Sequence, residues 1–302
     1  MPMQRRTFLS LTAAGAAGAG LTALGAGQAL GAGQALGAAS ALAGAPTTPF
    51  AVGVRQYTWW RGSRRVNTYV YYPAKGTPGS GPTTNAPVAD GVFPVCQYTH
   101  GSGASPQGAL GHIRPLAAAG FIVPAPHFGS SIGDAYNGNL SRDASRAITG
   151  TLALNTAAND PLRGHINTSV GVGASGYSMG GMTTHGLLTI APDSRIVAAA
   201  PWACVDMGNP SSSVRAKVLF VHGDRDSTCP YSSARQAYRE LPTPKAFLTF
   251  LGGSHSSYFS DSRARNTFVD WMRWGLYADT VARDRLRTDA TSTGTRWEAL
   301  LS

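Results

Sequence analysis

Val170-Gly171-Val172-Gly173-Ala174-Ser175-Gly176-Tyr177-Ser178-Met179-Gly180-Gly181 joins a short apolar run to a G-x-S-x-G pattern. The run predicts a buried strand over 170–175, and the residues that follow predict a helix over 179–190. In that setting the glycines at 176 and 180 serve a strained strand-to-helix turn. They let strand and helix pack closely and lift one hydroxyl clear of the backbone. With 37 glycines in the chain, a five-residue pattern also arises by chance. Its weight comes from the strand before it and the helix after it, which make Ser178 the candidate nucleophile.

The same alternation continues on both sides. Apolar strands are expected over 93–98, 121–124, 196–201, 216–222 and 245–251. Helices are expected over 107–119, 143–155, 232–241 and 267–276, the last with Phe268, Trp271, Met272 and Leu276 on one face. Short aromatic segments near 57–60 and 66–72 read as an antiparallel entry to the sheet, and 73–92 reads as a loop rich in Gly, Pro, Thr and Asn. Strands alternating with helices imply a mostly parallel central sheet with helices on both faces. The expected class is therefore α/β, with the α/β-hydrolase fold in a single domain.

Residues 1–45 read as a cleaved export signal. Arg5 and Arg6 precede Thr7-Phe8-Leu9, and no further charge occurs before Arg55, a pattern of the twin-arginine type. Glycines interrupt this stretch, so no stable membrane anchor is expected. A secreted, extracellular location follows. The remaining 46–302, roughly 255 residues, are enough for one large core. The formal charge is +10, but the arginines that carry it are scattered in short pairs. That argues for a solvated basic surface rather than nucleic-acid binding. Of the three cysteines, Cys96 lies in an apolar strand, while Cys204 and Cys229 each follow a strand end and can meet. No C-x-x-C and no His/Cys cluster suggests a metal, so neither metal nor organic cofactor is expected.

A serine hydroxyl needs a base to take its proton, and that base is normally a histidine oriented by a carboxylate. In α/β-hydrolase folds the chain order is Ser, acid, His. His255, in Gly252-Gly253-Ser254-His255 after the last expected strand, fits the base. His222 precedes the candidate acids and reads as structural. Asp226 follows the strand ending in Val221-His222-Gly223 and fits the acid. Asp224, nearer the strand, reads as a turn cap, and Asp206 is an alternative one strand earlier. For the oxyanion hole, the amide of Met179 follows the nucleophile, and Thr99-His100-Gly101-Ser102-Gly103 supplies a second amide at Ser102. His100 is expected to shape that loop; His127 reads as a structural or surface histidine, with lining of the pocket from the loop after Pro124 as the alternative.

Ser232 through His255, ending Lys245-Ala246-Phe247-Leu248-Thr249-Phe250-Leu251-Gly252-Gly253-Ser254-His255, resembles the stretch before the catalytic histidine in actinobacterial cutinases and poly(ethylene terephthalate) hydrolases. Tyr71-Tyr72-Pro73, the elbow, Ala200-Pro201-Trp202 and the Asp226 loop extend that resemblance over most of 46–302. It implies a serine esterase using Ser178, Asp226 and His255, with oxyanion amides at Ser102 and Met179 and with Trp202 lining the substrate cleft. It also implies an ester substrate, small molecule or polymer, and a monomeric enzyme. Amide hydrolysis and acyl transfer use the same constellation. The sequence departs from the family in four places. Ser102 stands where an aromatic is common, Tyr177 where His or Trp is frequent, residues 128–140 differ, and no cysteine follows Cys229 to form the family's C-terminal pair.

Overall fold

The computed structural model describes residues 44–302. Apart from Gly44 and Ala45, the expected signal 1–45 lies outside the described residues. The strands are β1 (Ala51–Arg61), β2 (Arg64–Ala74), β3 (Thr83–Thr84), β4 (Phe93–Pro94), β5 (Cys96–Thr99), β6 (Val123–Pro126), β7 (Ile166–Asn167), β8 (Val172–Tyr177), β9 (Ile196–Trp202), β10 (Lys217–Gly223), β11 (Lys245–Phe250) and β12 (Thr295–Leu300). The helices are α1 (Leu110–Ala118), α2 (Ile132–Tyr136), α3 (Asn139–Ala153), α4 (Met179–Gly186), α5 (Tyr231–Glu240), α6 (Ser262–Tyr277) and α7 (Thr280–Ala290).

Strands β5, β8, β9, β10 and β11 run parallel in the order β11-β10-β9-β8-β5, with β12 antiparallel on β11. A second ladder, β3-β1-β2-β6, carries the antiparallel entry. A parallel bridge from Val95 to Ile122 joins the two ladders, with Cys96 N–H donating to the Ile122 carbonyl at 2.9 Å. The result is the predominantly parallel sheet read from the sequence, and the α/β-hydrolase expectation holds.

Strand alternation divides the core between the two faces. On β10, Val218 and Phe220 join Ile148, Met179 and Ala234 from α3, α4 and α5. Leu219 and Val221 join Ile113, Phe268 and Leu286 from α1, α6 and α7. Helix α3 starts at Asn139, ahead of the expected 143, because Asp143 is an interior residue. It is buried and paired with Arg61 at 2.6 Å and Arg64 at 2.8 Å. The helix expected over 179–190 ends at Gly186. Neither α7 nor β12 was anticipated.

Helix α4 lies close across the ends of β5, β8 and β9. A Cβ at Gly180 would collide with the Thr99 carbonyl, and one at Gly176 would collide with the Gly180 and Thr99 carbonyls. Both partners are backbone and cannot swing aside. The G180A substitution is therefore expected to cost about 2–3 kcal/mol of stability by overpacking. Urea titration checks this, and a wild-type midpoint for G180A contradicts the packing argument.

Candidate active site

The parallel strands deliver their following loops to one edge of the sheet, where ligands bind in open α/β folds. Ser178 follows β8, Asp226 follows β10, His255 follows β11 and Ser102 follows β5. Ser178 takes φ 57° and ψ −119°, a left-handed conformation that non-glycine residues hold only when their surroundings impose it. Its amide donates to the Trp202 carbonyl at 3.0 Å. The hydroxyl thereby projects toward His255, with Oγ to Nε2 at 2.9 Å.

His255 Nδ1 lies 2.7 Å from Asp226 Oδ2. A carboxylate oxygen only accepts, so Nδ1 carries the proton and Nε2 is left as an acceptor for the Ser178 hydroxyl. Asp226 is buried. Its other oxygen, Oδ1, accepts from the amides of Thr228 at 2.9 Å and Cys229 at 2.8 Å. Burial pushes the carboxyl up. The hydrogen bonds from His222, His255 and the Cys229 amide outweigh it and bring Asp226 down to about 2. Asp224 is elsewhere occupied: its Oδ1 accepts from the Gly252 amide on the loop after β11, rather than capping its own turn. The Asp206 side chain accepts from the Gly208 amide at 2.9 Å, away from the His255 ring.

The two positions expected to supply oxyanion amides also lie beside Ser178. Ser102 and Ser178 line one cleft, and a Cβ at Gly101 would stand 3.5 Å from the Ser178 Cβ. Among the described residues no acceptor pairs with the amide of Ser102 or of Met179, and Met179 opens α4, where helix amides point outward. His100 fixes the Ser102 amide indirectly. The Phe128 N–H donates to its Nε2 at 3.1 Å, so its Nδ1–H donates to the Gly101 carbonyl, 2.8 Å away. The Gly101 carbonyl and the Ser102 N–H share one planar trans peptide and point in opposite directions. Holding the carbonyl therefore aims the amide. His127 packs its ring near His100, at 5.6 Å, but does not line the cleft.

Trp202 corrects an expectation. It is fully buried and lines no part of the cleft. Trp202 closes β9 with the same parity as Ala198 and Ala200, so its ring falls on the α1/α6 face of the sheet. There it packs edge-on against Phe268 at 5.5 Å and beside His112 at 4.3 Å. Its contribution to the edge is the carbonyl that holds Ser178. The apolar walls of the cleft, whose volume is about 460 Å³, come from Tyr98, Tyr177 and Phe259. Tyr177 and Phe259 meet edge to face at 4.8 Å, and the Tyr177 hydroxyl donates to the His255 carbonyl at 2.8 Å. Sequence reading missed Phe259 as a wall. Its position four residues after the histidine, on the same loop, was the available signal. All three cysteines are free and buried, so Cys204 and Cys229 form no disulfide.

A family model described as PET hydrolase-like matches residues 28–292. The chain belongs to this family. Its members are α/β-hydrolases that act on esters, and the resemblance carried by the elbow and the histidine loop is thereby established. Comparison with curated proteins finds no match.

The lowered Asp226 has a consequence for stability. Its folded value, about 2, lies below the ordinary ~3.9 of an unfolded chain. Its contribution is thus complete above about pH 4 and is lost as pH falls toward about 2. Replacing it with Asn should flatten acid unfolding across that window, measured by denaturant titration at stepped pH. Parallel curves for the two proteins contradict the assignment.

Proposed function

We propose that the protein is a serine ester hydrolase that works through an acyl-enzyme on Ser178. The observation that carries the reading is the unbroken chain Ser178 Oγ, His255 Nε2, His255 Nδ1, Asp226 Oδ2, at 2.9 and 2.7 Å, beside two unpaired amides. As Ser178 Oγ attacks the ester carbonyl carbon, its proton passes to His255 Nε2, and the carbonyl oxygen becomes an anion. Asp226 stabilises the imidazolium and keeps the ring in its productive tautomer. The amides of Ser102 and Met179 receive the oxyanion, a contribution of about 3–4 kcal/mol per donor in comparable sites. The tetrahedral intermediate collapses by breaking the carbon–oxygen bond to the alcohol, which leaves with the proton from His255. A water then repeats the sequence on the acyl-enzyme: His255 takes its proton, the acid is released and Ser178 regains its hydrogen.

The cleft favours esters that place an apolar acyl or aryl group against Tyr177 and Phe259, with the small polar side chain of Ser102 on its exposed edge. Short acyl and aryl esters fit this description, and aliphatic or aromatic polyesters present the same units repeatedly. Export to the outside of the cell, proposed on the sequence of 1–45 alone, would place the enzyme where polymers are met.

S178A is expected to lose about 10⁴-fold or more in kcat on p-nitrophenyl butyrate while keeping its fold by circular dichroism. Stoichiometric fluorophosphonate labelling should occur in the wild type and vanish in S178A. Full turnover by S178A refutes the mechanism. A panel running from short esters through triacylglycerols to polyester film then ranks the substrates.

A further inference from the structure

His222 stands at the penultimate position of β10 with no exposed surface. Its Nε2 lies 2.8 Å from the Cys229 carbonyl oxygen and 3.2 Å from Asp226 Oδ2. Both are acceptors, so the proton sits on Nε2 and is shared between them. Its Nδ1 is buried and, among the described residues, has no partner. A fold that retains a buried imidazole with one nitrogen unsatisfied bears a cost, and what the imidazole supplies in return is the Nε2 donor.

That donor completes a set. A carboxylate offers about four acceptor positions. The Thr228 and Cys229 amides fill those of Oδ1, and His255 and His222 fill those of Oδ2. With all four occupied, the carboxylate is locked in rotation, with Oδ2 aimed at His255. With His222 removed, Oδ2 keeps His255 as its single donor.

We propose that His222 is a positioning residue that holds the Asp226 carboxylate in register with His255, making the hydrogen-bonded chain four residues long. The inference rests on the acyl-enzyme reading above. His222 also draws off part of the charge that Asp226 directs at the imidazolium formed on His255. The other titratable groups facing Asp226 are Cys204, Cys229, Tyr177 and Tyr258. Burial pushes all four up, Cys229 to about 12, so they stay protonated and uncharged near neutrality.

The test compares H222L, which keeps volume but no donor, with H222Q, whose amide nitrogen reaches the position of Nε2. Steady-state kinetics are run on p-nitrophenyl butyrate across pH. H222L is expected to lose about 10- to 100-fold in kcat, the scale of a hydrogen bond to a charged group, with KM within about twofold of wild type. The acid limb of its kcat/KM profile should move upward in pH, because Asp226 then acts on His255 undivided. H222Q should recover most of kcat and return the limb toward wild type. If H222L fails to fold, H222N replaces it, since the asparagine amide is too short to reach Asp226. Equal kinetics for wild type and the donor-free variant overturn the proposal, as do equal losses in H222Q and H222L or an unmoved acid limb. S178A, run alongside, separates the two levels. An active S178A refutes the acyl-enzyme reading itself, whereas an inactive S178A beside a fully active H222L refutes only the role of His222.

Discussion

Ser178 holds its positive-φ backbone because three strands and a helix leave it no alternative. Its amide is tied to the Trp202 carbonyl, and α4 begins at the next residue, pressed against backbone at Thr99 and Trp202 where Gly180 and Gly181 admit no side chain. The strain at one residue, of order 1–3 kcal/mol, is spread over contacts that β5, β8 and β9 make for their own reasons. The loop after β5 is brought beside the serine by the same packing, so the placement of the hydroxyl and of the Ser102 and Met179 amides shares one cause. Loosening α4 would disturb both together.

Around that elbow the protein uses neutral imidazoles as pins between loops. His100 links the Phe128 amide to the Gly101 carbonyl. His112 accepts from the Tyr98 hydroxyl at Nδ1 and donates from Nε2 to the Phe259 carbonyl, at 2.7 and 2.8 Å. His185 accepts from the Met207 amide. Burial lowers all three, His112 and His185 to about 4, which keeps one nitrogen free to accept. A lysine or arginine offers only donors and could not bridge an amide and a carbonyl in this way. The histidine content is thus largely architectural, with His255, the one hydrogen-bonded to Ser178, as the exception.

What the sequence disclosed follows from how local each feature is. The elbow was legible because glycines, serine and the flanking apolar run occupy a dozen contiguous residues. Asp226 and His255 were legible because chain order and strand ends constrain them. Helix α7 and strand β12 were not. The helix buries only Ala282, Leu286 and Ala290, a sparse apolar stripe with one large residue among arginines and aspartates. The strand is an edge element whose residues are mostly half-exposed, so neither shows strong periodicity. The helix expected to begin at 143 was misplaced for a related reason. An aspartate reads as a helix start, but Asp143 is a buried anchor for two arginines from the β1–β2 hairpin, and only the tertiary fold reveals that.

Trp202 illustrates a different limit. A resemblance transfers position along the chain, and position fixes the backbone better than it fixes what lies over a ring. Here the backbone role is present, since the Trp202 carbonyl holds Ser178, while the ring is covered by His112, Tyr258 and Phe268. The loop that carries His255 continues into Tyr258 and Phe259 and crosses this ground itself, tethered by His112 and Tyr177. The Phe259 wall beside the serine therefore belongs to the same loop as His255. In such an arrangement a substrate that packs against Phe259 also bears on the segment that aligns His255. Under the proposed mechanism, binding an apolar group in the cleft and setting the imidazole for proton transfer become parts of one loop's geometry rather than separate tasks.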